Sequence, residues 1–242
     1  MEVDSVYMPT ATRDRLLEAA REILAKDGLE GLTLRAIARH AGLSHGAPLR
    51  HFPSLASLLA AVAADGFARL VAAIDDALAE AEAEAAAAGR PPLRAVDRLA
   101  VAGRTYVDVA LADPGVFAVT FRPERCDVSD RAYQRQGARS FGQLVGLVRA
   151  AQAEGWHAHE RPELAAAAVW ATAHGIADLA LHGAIPSAVA PAGVADVFAV
   201  AGRLLFPGPT GPAGPGPAPG PGPGPGEATD PTHPSDPRGR TP

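Results

Sequence analysis

The stretch from Thr33 to Phe52, TLRAIARHAGLSHGAPLRHF, constrains the fold more than any other part of the chain. Thr33 is a helix N-cap, and Leu34, Ile37, Ala38 and Ala41 form an apolar stripe at helical spacing. Gly42 follows the stripe, where the left-handed backbone that closes a helix is unstrained only for glycine. Leu43 plugs the corner. Ser44 then reads as the N-cap of a second short helix running to about His51. Pro48, four residues in, is expected to cost that helix at most one early hydrogen bond. Ala38 keeps the crossing point small. Two short helices meeting at a glycine turn make a helix-turn-helix, whose second helix can enter the major groove of DNA. An ordinary αα-hairpin is the other reading of the same spacing.

The flanks repeat the helical period. Leu16, Leu17, Ala20, Ile23 and Leu24 give a helix from about Thr12 to Lys26, ended at Gly28. After His51-Phe52-Pro53, Ser54 caps a long helix to about Ala88, with Phe52 as a core anchor. Further helices are expected over about 93–111, 114–121, 129–154, 162–182 and 193–206, separated by Pro/Gly breaks. No alternating strand pattern occurs, so the expected fold class is all-α with about nine helices. Apolar residues make up 48% and aromatics 5%, so the core must be built mainly from Ala, Leu and Val. The expected organisation is a flexible arm at 1–9, a helix-turn-helix domain at 10–70, a second helical domain at 71–206, and a disordered tail at 207–242. The tail is Pro and Gly without a sustained three-residue step, which excludes collagen and leaves little to bury. One lysine against 21 arginines, with abundant Ala, Gly and Pro, fits G+C-rich bacterial codons.

RLLEAAREILAKDGLEGLTLRAIARHAGLS, followed by RHFPS before a Leu-rich helix, resembles the tetracycline-repressor (TetR) family over roughly residues 12–65. WATAHGIADLALHG, from Trp170 to Gly183, resembles the Trp-His-Gly type of ligand domain in that family. The resemblance implies a homodimeric transcriptional regulator, a repressor released from a pseudo-palindromic operator in double-stranded DNA by a small, largely hydrophobic effector. Two departures bear on DNA anchoring. Leu49 stands where the family often has a tyrosine, and Leu55 where it often has a lysine. They keep open an alternative in which the same fold is an interaction protein that no longer binds DNA. A metal-responsive sensor is a further alternative.

The candidate DNA-binding residues are Thr33, Arg35, Ser44, His45, Gly46, Ala47, Leu49, Arg50 and His51. Arg50 can donate two hydrogen bonds to a guanine edge or clamp a phosphate, and Leu49 can touch a thymine methyl group. Thr33 and Ser44 can bond phosphate oxygens. The net charge of −5 does not advertise a nucleic-acid binder. From Thr10 to Pro53, however, seven Arg and Lys stand against five acids, with His40, His45 and His51 in addition. A dimer could dock two such faces on phosphates.

Phe67, Tyr106, Phe117, Phe121, Phe141, Trp170 and His174 are the candidate effector-binding residues, chosen by residue type and helix assignment. Trp170, His174, Asp178 and His182 step by four along one helix. They can be a pocket rim with His174 held by Asp178, a set of metal ligands, or a packed face. His157, His159 and Glu160 cluster in a short loop but lack an assignable third ligand. No metal or cofactor is expected, and Cys126, the lone cysteine, is read as structural. The chain has no Gly-rich phosphate loop, G-x-S-x-G or H-E-x-x-H, so no enzyme is expected. Without a basic, apolar leader or a long uncharged apolar run, the expectation is a cytoplasmic protein with no membrane span.

Overall fold

A computed structural model describes residues 9–185 and 193–206. The arm at 1–8, part of the 183–191 loop and the tail from 207 lie outside the described residues. The described residues belong to one compact unit and form eight α-helices, with no strand among them. These are α1 (Pro9–Asp27), α2 (Leu34–His40), α3 (Leu55–Ala87), α4 (Ala95–Ala112), α5 (Pro114–Thr120), α6 (Arg131–Ala153), α7 (Pro162–Leu181) and α8 (Val194–Leu205).

The helix starts follow local chemistry. Thr33 Oγ1 accepts from Ala36 N at 3.1 Å. Ser54 and Ser57 cap each other's backbone N–H groups at the start of α3. Asp113 accepts from Val116 N ahead of Pro114, and Asp130 from Ala132 and Tyr133 N. α3 has 33 residues, roughly 50 Å at 1.5 Å per residue. Its first half packs Leu58, Leu59 and Val62 against Leu16, Ala20 and Ile37 of α1 and α2. Its second half packs Leu70, Ile74 and Leu78 against α4 and α7. A third cluster joins Leu99, Val145, Val148 and Ala166, with Trp156 donating to Leu205 O at 3.0 Å.

α5 sits between these regions. Val116 and Val119 enter the first cluster, while Phe117 and Phe121 pack against the second. Glycines let it fit. A Cβ on Gly115 would lie 2.8 Å from the Leu24 carbonyl, and one on Gly66 would lie 2.9 Å from Val116 Cγ1.

Two helices are apolar enough to be weighed against the expectation of no membrane span. α3 and α7 each carry an 18-residue window long and apolar enough to cross a membrane, with mean hydropathy 1.7 and 1.4. A few charged residues do not offset so much Ala, Leu and Val. In α3 the window is 61% buried, as in a core helix, but in α7 only 28%. The apolar character of α7 is therefore largely unused within one chain.

Candidate DNA-reading head and ligand cavity

In the head, α2 ends as its sequence dictates. Gly42 has φ +64°, Gly42 N donates to Arg39 O, and Leu43 N to Ala38 O, the paired bonds of a Schellman turn. Arg15 Nη2 reaches across from α1 to Ala41 O at 2.6 Å, and His40 pairs with Glu22. Phe52 is buried, with the Arg13 guanidinium 5.3 Å above its ring.

The segment after Gly42 differs from the expected α-helix. Residues 45–47 form a turn and Pro48–Arg50 a single 3-10 turn. Pro48 has no N–H to donate, and its ring would collide with the Ser44 carbonyl in an α-helix. The backbone instead closes three-residue bonds: Ala47 N to Ser44 O, Arg50 N to Ala47 O and His51 N to Pro48 O. Ser44 thus contributes its carbonyl, and the 3-10 turn has Ala47 at its N-cap with no side-chain bond. Pro48 is itself fully buried and pins this turn to the core. Thr33, Arg35, Ser44, His45, Gly46, Leu49 and Arg50 are exposed, with Ala47 and His51 partly so. Leu49 is 59% exposed although apolar.

Further along α3, a cavity of about 720 Å³ opens among α3, α4, α6, α7 and the end of α5. Phe67, Tyr106, Phe121, Phe141, Trp170 and His174 all line it. Phe117 stands behind the wall, its ring 5.0 Å from Phe121 and 5.2 Å from His174. Apart from Phe141, sequence reasoning missed the α6 side: Tyr133, Gly137, Ser140, Gln143 and Leu144. Small residues at 137 and 140 beside Phe141 and Leu144 were the available sign of a hollow helix face. Pro123, from the loop after α5, also lines the cavity.

The cavity's polar centre is a hydrogen-bonded chain. Trp170 Nε1 donates to Tyr106 Oη at 3.2 Å, and Tyr106 Oη lies 2.7 Å from His174 Nδ1. Burial pushes the Tyr106 phenol well above its ordinary pKa. Burial also lowers the pKa of His174, against the opposing pull of Asp178. Burial thus favours the neutral form of His174, which Tyr106 holds. The expected His174–Asp178 pairing is replaced by contact between Asp178 and His182, whose Nδ1 is 3.4 Å from the carboxylate. Among the described residues, no three His, Cys, Asp or Glu side chains assemble a metal site, so neither histidine cluster does. Cys126 is buried, donates toward Val119 O, and has its thiol pKa pushed up to about 11 by burial and nearby Glu124.

Two family profiles match this architecture. One is described as bacterial regulatory proteins, tetR family, and covers residues 16–62; the other, tetracyclin repressor-like C-terminal domain, covers residues 99–203. The chain belongs to the tetR family. A solved protein of unknown function from Rhodococcus sp. RHA1 is 33% identical, with 84% of this chain and 97% of that one covered at a TM-score of 0.68. The HTH-type transcriptional repressor AcnR of Corynebacterium glutamicum is 34% identical over 76 residues, 31% of this chain. The match covers 40% of the length of the curated relatives. AibR, solved in complex with isovaleryl coenzyme A and operator DNA, shares the fold at 14% identity, covering 81% of this chain and 98% of AibR at a TM-score of 0.57. The Thr33–Phe52 segment falls within the part matched by the N-terminal profile, and most of the cavity lining falls within the part matched by the C-terminal one, with Phe67, Leu70 and Ile74 of α3 outside both.

Proposed function

We propose that this chain is a transcriptional repressor that binds operator DNA as a homodimer and leaves it when a small apolar ligand fills the cavity. The observation that carries this reading is α3. One helix ties the exposed edge of Thr33, Arg35 and residues 44–51 to the cavity wall at Phe67, Leu70 and Ile74. The boundary between head and ligand domain then falls near residue 70. α5 supplies the second link. A ligand pressing on Phe121 works against a helix whose other side is wedged between Leu24 and Gly66. Ligand binding then favours one arrangement of the heads, by no more than its preference for that arrangement.

The exposed stripe Leu164, Ala168, Ala171 and Leu179 on α7, with Val200 and Leu204 on α8, supports a two-fold helical interface. Leu204 is 77% exposed in the single chain. Leu204→Glu should convert the dimer to monomer by light scattering. An unchanged mass would overturn this interface.

The function itself is tested by binding to DNA from the chain's own promoter region, against a scrambled duplex, at several salt concentrations. Specific binding should weaken steeply with salt. Arg50→Ala should lower specific affinity roughly 10- to 100-fold, the effect of one base contact. Specific binding unaltered by that change would remove Arg50 from the interface. Equal, weak binding to both duplexes, together with no specific sites in genome-wide occupancy, would favour the interaction-protein alternative.

A further inference from the structure

The cavity also constrains the chemistry of what fills it, taking the ligand reading above as its basis. Its lining residues include aromatic rings, Leu, Ile, Val, Ala and Gly, and a few neutral polar groups, but no Asp, Glu, Lys or Arg. A charged group brought inside would lose its hydration and find no counter-ion.

The hydrogen-bond chain fixes which polar group is left over. Trp170 Nε1 can only donate, so the Tyr106 oxygen accepts from it. The Tyr106 side chain is 7% exposed, and its own proton needs an acceptor. His174 Nδ1, at 2.7 Å, is the acceptor in place. A neutral imidazole that accepts at Nδ1 carries its proton at Nε2. His174 lines the cavity, and no acceptor among the described residues takes that Nε2–H. Of the other polar lining residues, Thr120 donates to Val116 O and Gln143 Nε2 donates to Val71 O and Asp75, while the Ser140 and Tyr133 hydroxyls also line the cavity and can add to the recognition of a ligand.

We infer that the effector is an uncharged, largely apolar molecule with a carbonyl-type oxygen that accepts a hydrogen bond from His174 Nε2. The aromatic walls, with Phe67 edge-on to Phe121 and Trp170 stacked obliquely on Phe121, suit a flat ring system. Trp170 and Tyr106 act as positioning residues, because they set the tautomer of His174 without needing to touch the ligand.

A matched set of probes separates the elements of this assignment: 9-fluorenone, with the carbonyl; fluorene, without it; and fluorene-9-carboxylate, with a charge. Equilibrium dialysis of each against the full chain should give fluorenone at least tenfold tighter than fluorene, and no measurable binding of the carboxylate. His174→Phe keeps a ring but removes the donor, and should reduce fluorenone to the affinity of fluorene. His174→Gln places an amide N–H near the Nε2 position and should restore part of the preference. Equal binding of fluorenone and fluorene to the wild type overturns the donor assignment. So does an unchanged preference in His174→Phe that is folded by circular dichroism. Carboxylate binding as tight as that of fluorenone overturns the neutrality of the site. If none of the three binds while specific DNA binding persists, the effector chemistry inferred for the cavity is overturned and the DNA-binding reading stands.

Discussion

Two regions along α3 are packed in opposite ways. At the head end, Leu16, Ile37, Leu58 and Val62 are fully buried in a filled core. Farther along, around the midpoint of the helix, Leu70 and Ile74 face a cavity of about 720 Å³, and Trp170 and Phe141 remain 38% and 37% exposed at its wall. A filled core has one arrangement, because native-density packing leaves no alternative positions for its side chains. A hollow one leaves room for side chains to be rearranged by whatever enters. The contrast places rigidity where a surface has to be presented and adaptability where a molecule has to be accepted.

The contrast is broken most directly by truncating one leucine in each region. Leu58→Ala should destabilise the chain by about 2–5 kcal/mol, the range for a fully buried leucine. Leu70→Ala should cost less than half as much in the same urea titrations, since Leu70 already borders empty space. Equal losses would mean that the cavity wall is as tightly held as the head. The next effect lies between the two regions. Gly115→Ala should cost about 1–3 kcal/mol, because its new Cβ meets the Leu24 backbone rather than a movable side chain. A neutral result in thermal unfolding would show that α5 has slack against α1.

Acid sharpens the comparison further, since His174 is a titrating group of the cavity alone. Its folded pKa lies below the ordinary value of 6.5 because burial disfavours the charged ring. The unfolded chain therefore takes up this proton first, and stability contributed by neutral His174 is full above about pH 6.5 and declines as pH falls below it. Urea midpoints for wild type and His174→Gln should converge or cross between pH 7.5 and 5.5, with the variant showing the shallower slope. Identical slopes would remove His174 as a source of the acid sensitivity. The smallest effect has the opposite sign. A Cβ at Gly137 would rest 3.5 Å from Phe67, an ordinary contact, so Gly137→Ala should raise stability by about 0.5–1 kcal/mol. At Gly115 the same substitution destabilises, so the pair reads out local space directly.

The same difference explains what was legible in the sequence. The head is encoded by neighbours: Thr33 caps Ala36, Gly42 closes on Arg39, and Leu43 on Ala38. Such short-range chemistry can be read along a line. The segment after Gly42 departed from that reading at Pro48, where a missing donor and a steric clash outweighed the helical pattern and left a 3-10 turn. The cavity depends on residues as distant as Phe67 and His174, brought together by packing among five helices. Residue type was enough to collect its aromatic groups, because large rings are costly to leave in water. It could not show that Phe117 stands behind Phe121, or that Tyr106 rather than Asp178 holds His174. The hollow at Gly137 and Ser140 left only the faint sign of small residues beside Phe141 and Leu144, since an absence of volume has no periodicity of its own.

The position of α5 sets the distance over which the two regions communicate. Val116 and Val119 belong to the head core while Phe121, one turn on, belongs to the cavity wall. The partition between them is one helix thick, about 10 Å. A molecule in the cavity and the hydrophobic interior of the head are thus near neighbours, although Phe121 and Arg50 lie 71 positions apart in the sequence.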